Sequence, residues 1–205
     1  MPADLAHEIV ELTLEHVLLV AIALSAAAFI GIPTGIWLSR KEAWRGLVLG
    51  FTNVVQTIPS LALFGLLIPL PFLGGIGKRT AIVALILYAL LPILRNTLTG
   101  ILGVDAAVVE SAVAMGMTGR QRLLRVELPL AAPTILAGVR IAAVTTIGTA
   151  TIAAAIGGGG LGVFIFRGIA SVDVSQILAG AVPAALLALA ADGGLGWIER
   201  RFGRS

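Results

Sequence analysis

Long apolar runs broken by short polar stretches set the pattern of this chain. Runs at about residues 17–38, 46–70, 80–102, 134–156 and 176–198 each carry few charges. About twenty residues of helix rise about 30 Å, the thickness of a bilayer's hydrocarbon core. The pattern therefore predicts an all-α bundle of five membrane-spanning helices. The stretch before the first run is different. Leu5, Ile9 and Leu12 recur at three- or four-residue spacing among Asp4, Glu8, Glu11 and Glu15, which predicts a short amphipathic surface helix. With no Lys or Arg ahead of the first apolar run, this stretch is not expected to be a signal peptide.

Polar residues inside the runs need partners. Asn53, Gln56, Thr57, Pro59 and Ser60 fall midway through the second run, and Pro59 predicts a broken helix. In a bilayer such groups are satisfied by neighbouring helices or by a water-filled cavity. They read as packing hydrogen bonds or as the lining of a pathway, with Tyr88 and Asn96 of the third run as further lining candidates. Arg95 is expected to snorkel to the nearby interface. The fourth run holds Arg140 in its first third, and Thr145, Thr146, Thr149 and Thr151, whose hydroxyls can bond back to their own helix. Asp192, near the end of the fifth, is expected to pair with an arginine or cap a helix. Gly31 and Gly35 flank Pro33 at G-x-x-x-G spacing, which allows close helix packing, within the bundle by default.

The segment 103–132 is the polar exception inside the apolar body. Val104, Ala107, Val108, Ala112 and Met115 give it one apolar helical face. Gly116 and Gly119 offer a turn. A basic helical piece follows from Arg120 to Glu127, and Pro129 and Pro133 are expected to break the helix before the fourth span. A fully solvated loop needs no apolar face, so this one packs on another protein, on its own bundle or on lipid.

Composition sharpens the membrane reading. Charged residues make up 12% of the chain, half the roughly 25% of a soluble domain. The net charge of +3 does not imply nucleic acid, because the basic residues sit at segment ends. Arg40, Lys41, Arg45, Arg120, Arg122, Arg125, Arg200, Arg201 and Arg204 fall on one side of a five-span topology. Lys78, Arg79 and Arg167 fall on the other, with the acidic N-terminus. Basic residues favour the cytoplasmic side, so the N-terminus is expected outside and the C-terminus inside.

Candidate chemistry is sparse. There is no cysteine, and the two histidines, His7 and His16, lie nine residues apart without other ligands, so no metal site is expected. Both are expected at a surface or interface. No Ser-His-Asp set is available in the bundle. Residues 74–80 suggest a phosphate loop but fail its template, since Phe72 stands at the first glycine position and Arg79 follows Lys78. Residues 157–162, GGGGLG, follow a membrane segment rather than a strand, so they read as a flexible external turn, with a short interfacial helix in the connector 161–175.

One spacing is specific. Glu110-Ser111-Ala112 is followed after three residues by Gly116, then after nine by Val126-Glu127-Leu128-Pro129. This resembles the EAA loop of bacterial ABC importer permeases, E-A-A, three residues, G, nine residues, I-x-L-P, with Ser111 and Val126 as conservative departures. The resemblance implies a methionine-permease-like type I importer fold with residues 1–205 as one transmembrane domain in the bacterial cytoplasmic (inner) membrane. It implies that 103–132 is a cytoplasmic coupling loop that docks on a separate ATPase subunit, with Glu110, Ser111, Ala112, Gly116, Val126, Leu128 and Pro129 as coupling residues and Glu110 facing an ATPase arginine. ATP and Mg then belong to that partner, and this chain carries no catalytic residue or cofactor. A second permease chain, identical or not, and a substrate-binding protein complete the implied assembly. The stretches 56–62, 88–97 and 156–162 are similar to permeases for glycine betaine, choline or carnitine, and less so to methionine or other amino-acid permeases. An ion-coupled transporter would need ionisable groups at the bilayer midplane, where only Arg140 and Asp192 come near. An assembly protein without flux is a third reading.

Overall fold

The computed structural model describes residues 2–203 and is helical almost throughout. Arg204 and the side chains of Asp4 and Leu5, used above, lie outside the described residues. The elements in order are α1 (Pro2–Arg40), α2 (Glu42–Thr57), α3 (Ser60–Leu67), α4 (Lys78–Leu102), α5 (Ala106–Ala114), α6 (Gly119–Arg122), a π turn (Leu123–Glu127), α7 (Leu128–Ile152), a 3-10 turn (Ala153–Ile156), α8 (Gly162–Ser171) and α9 (Val174–Phe202).

Four helical stretches are long and apolar enough to cross a membrane, and the bent pair α2 and α3 makes a fifth. α2 begins where the Arg45 guanidinium donates to the Leu38 and Ser39 carbonyls at the end of α1. α3 packs Leu63, Phe64 and Leu67 into one apolar cluster with Ala153 and Ile156 at the opposite end. The pair thus carries the chain from one end of the bundle to the other through a bend of 104°.

Partners across α4 make that bend tolerable. Ile58 and Pro59 are the two residues between the helices, and the Tyr88 hydroxyl donates to the freed Ile58 carbonyl. Pro92 has no N–H to give the Tyr88 carbonyl four residues earlier, and Gln56 Nε2 donates there instead, at 2.9 Å. Asn96 Nδ2 donates to the Pro92 carbonyl at 2.8 Å and Thr57 Oγ1 to the Val54 carbonyl at 2.7 Å. In an apolar medium every freed backbone group needs such a substitute.

The helices α1, α4 and α7 pack most closely. A Cβ on Gly35 would fall 2.7 Å from Thr97 Cβ, and one on Gly31 3.0 Å from Ile93 Cγ2. The G-x-x-x-G pair is therefore filled by α4 of the same chain. Gly138 of α7 meets Asn96 of α4 in the same way, at 2.5 Å.

Five expectations need correction. The acidic lead is not a separate surface helix. It is the first third of α1, held by Glu8 to Arg167 at 2.5 Å and by Glu15 to Lys78. The basic stretch 39–45, whose charges and Trp44 read in the sequence as a short loop between the first two runs, is a corner at Lys41 alone, because Arg45 caps the last carbonyls of α1. Pro129 and Pro133 do not break the chain, and residues Gly119–Ile156 continue as one helical stretch. The backbone widens into the π turn, where Leu128 N–H bonds to the Leu123 carbonyl five residues back, and Pro129 then occupies the first turn of α7, where a missing N–H is tolerated. The glycine turn 157–162 is packed rather than loose, with Gly158, Gly160, Leu161 and Gly162 buried. His16 is not at a surface. It is fully buried, and Nε2 donates to the Ile147 carbonyl at 3.1 Å. His7 is exposed, and no group of metal-ligating side chains occurs among the described residues.

Candidate functional site

The segment between α4 and α7 is a projecting elbow with a fixed root. Asp105 caps α5 by accepting from Ala107 N–H at 2.8 Å. α5 ends in a Schellman turn: Gly116 N–H bonds to the Val113 carbonyl (2.9 Å) and Met117 N–H to the Ala112 carbonyl (3.1 Å). Gly116 takes φ +78°, and nothing lies within 4 Å of where its Cβ would be. The position needs glycine for its backbone angle and not for space. Thr118 then starts α6 with a reciprocal capping box: Gln121 N–H donates to the Thr118 hydroxyl, and Thr118 N–H to the Gln121 side chain.

The elbow shows two faces. Ala112 is buried against its own chain, and Val126 and Leu128 are half-buried at the root. Glu110, Ser111, Gly116 and Pro129 are exposed. The same segment exposes the apolar side chains of Val113, Met115 and Leu124 and the charged Arg120 and Arg125.

The root is held by a residue that sequence reasoning passed over. Glu127 fills the variable position of the motif and is only 2% exposed. Its carboxylate accepts from Arg122 Nε at 2.9 Å and from the Arg40 guanidinium, the last residue of α1. A buried carboxylate is costly unless paired, and here two arginines pair it. The π turn makes the local half possible, since it brings residues five apart onto neighbouring positions. The elbow is thereby tied to the end of the first helix, 87 residues away in sequence.

The six lining candidates fall into two neighbouring groups. Tyr88 and Thr57 spend their hydroxyls on the helix joint, Pro59 starts α3, and Asn53, Gln56 and Asn96 stand around Arg95. Arg95 donates to Asn53 Oδ1 of α2 at 3.0 Å. Arg140 lies 3.5 Å from both Asp192 and Glu199 of α9, as the arginine pairing of Asp192 predicts.

Comparison with known proteins bears on this arrangement. The profile of the family described as "Binding-protein-dependent transport system inner membrane component" matches residues 27–204. The chain is 45% identical over 194 residues to the glycine betaine/carnitine/choline transport system permease protein OpuCB of Bacillus subtilis, covering 95% of this chain and 88% of that one. It is 44% identical over 200 residues to the osmoprotectant import permease protein OsmW of Salmonella typhimurium, covering 97% and 91%. Among solved structures it superposes on a chain from inward facing conformations of the MetNI methionine ABC transporter with a TM-score of 0.86, covering 98% of this chain and 99% of that one at 23% identity. That likeness establishes the fold.

Proposed function

This chain belongs to the family of binding-protein-dependent transport system inner membrane components, and on that premise we propose that it moves quaternary-ammonium osmoprotectants such as glycine betaine, choline and carnitine into the cell. The observation that carries the substrate class is identity of 44–45% along nearly the whole chain to permeases named for these solutes, against 23% to the methionine transporter chain that shares its fold.

In this reading the elbow is the coupling element and lies in the cytoplasm. Arg40 and Arg122 meet at Glu127, and Gly203 at the end of α9 lies by Pro133 of α7, while Lys78 and Arg167 pair with Glu15 and Glu8 of the acidic start of α1, and Glu15 reaches the glycine turn at Gly160. The charge asymmetry favours an external N-terminus and a cytoplasmic elbow. An ATPase subunit, which holds ATP and Mg, covers Glu110, Ser111, Gly116 and the apolar side chains beside them. Its closure on ATP pushes the elbow. The Glu127 pairs pass that push to α1, and the continuous helix through the π turn passes it to α7. Two permease chains, fed by a binding protein, then alternate between outward-open and inward-open states.

Uptake of labelled solutes by host cells with and without the chain tests this. Glycine betaine, choline or carnitine uptake should vanish without the chain and on ATP depletion, and methionine uptake should not change. Loss of methionine uptake alone would overturn the substrate class. Uptake that survives ATP depletion but not collapse of the ion gradient would overturn the ATP-driven mechanism.

A further inference from the structure

Two arginines stand well inside spanning helices, and the fold treats them oppositely. Arg140 is neutralised by Asp192 and Glu199. Arg95 lies seven residues, about 10 Å of rise, before the end of α4. Among the described residues its polar partner is the neutral Asn53 Oδ1, and no carboxylate lies within 4 Å. It is exposed, and a guanidinium keeps its charge at any physiological pH.

Three helices bring polar side chains to Arg95, among the apolar Leu91, Pro92 and Ile141. Gln56 of α2, Asn96 of α4 and Thr145 of α7 line a shared pocket of about 240 Å³ with it. An unneutralised cation in such company does not face lipid, because charged groups in spanning helices turn to the bundle interior or a water-filled cavity. The pocket is below the about 300–1,000 Å³ usual for drug-sized ligands, which suits a small solute.

We propose that Arg95 is a specificity-determining residue on the solute pathway, recognising the carboxylate of a zwitterion such as glycine betaine or carnitine and disfavouring the carboxylate-free cation choline. This rests on the osmoprotectant reading above. The fixed positive charge repels the quaternary ammonium common to all three solutes. Only those with a carboxylate gain a charge-assisted hydrogen bond in return.

The test is ATP-driven uptake into proteoliposomes holding the whole transporter, with the binding protein saturated by each solute in turn so that capture does not limit the rate. Arg95→Gln should lower glycine betaine and carnitine uptake about tenfold or more relative to choline, the effect of losing one charge-assisted bond. Arg95→Lys should keep most of the preference. Choline uptake serves as the internal measure of folding. An equal fall for all solutes would overturn the proposal and mark Arg95 as a packing residue or a contact to a second permease chain. An unchanged ratio would overturn it too. Should the wild type move none of the three, the osmoprotectant reading fails by itself. The arginine is then tested on methionine against methionine methyl ester; loss of discrimination in Arg95→Gln upholds the recognition of a carboxylate and its persistence sinks it.

Discussion

The two ends of the bundle both turn on glycine, for different physical reasons. At the elbow Gly116 stands in open space with φ +78°. At the far end Gly160 has φ +72°, and a Cβ there would fall 2.9 Å from His16 Nδ1. Its N–H is bonded to the Glu15 carboxylate at 2.6 Å, and Lys78 closes the same carboxylate from the other side. One end is a shaped surface with nothing of its own chain upon it. The other is a sealed joint where backbone meets α1 at contact distance. A glycine that leaves room for a partner and one that leaves room for a neighbour look identical in sequence, and only the surroundings separate them.

Gly160→Val breaks the comparison most severely. It adds a β-branched side chain to a left-handed backbone and drives it into His16. Left-handed strain of about 1–2 kcal/mol and overpacking of about 1–3 kcal/mol together give a loss of about 2–5 kcal/mol. Thermal unfolding of the detergent-purified chain should show it as a large drop in Tm. An unchanged Tm would mean that the joint is not sealed.

The apolar runs made the bundle readable, because twenty uncharged residues have few other fates. The elbow's motif residues were readable by spacing, while the capping box at Thr118-Gly119-Arg120-Gln121 went unread until the structure showed it. What hid was everything that depended on contact across the chain. Glu127 looked like a charged residue in a basic helix until Arg40 arrived from 87 residues away. Pro129 looked like a breaker because the π turn that relieves it has no sequence signal of its own. His16 looked peripheral because its burial is supplied by the glycine turn and α7. Pro92 and Gln56 sit 36 positions apart, and neither reveals that one repairs the bond the other removes.

Glu127→Gln sharpens the contrast at the elbow's root. It leaves a neutral amide between two guanidiniums. Breaking a fully buried pair costs about 3–5 kcal/mol, but the Arg40 and Arg122 side chains keep 40% and 23% of their exposure, so water recovers part of it. A loss of about 2 kcal/mol is expected. Because the exposed face is untouched, the ATPase subunit should still co-purify while solute uptake per ATP hydrolysed falls. Normal coupling in this variant would remove Glu127 from the path of the push.

Substitutions at Gly116 have the smallest effect on the fold and the most to say about the surface. No atom of this chain opposes a side chain there, so the cost is the left-handed angle alone. Asn visits that region readily and Val does not. If the angle is all that matters, Gly116→Asn should bind the ATPase subunit and transport nearly as the wild type does, and Gly116→Val should lose both while its Tm drops by only a few degrees. If the ATPase surface lies against the bare Cα, the two variants should fail alike, because each fills the same gap. Co-purification of the ATPase subunit with each variant decides between a glycine kept for its own backbone and one kept for a partner's approach.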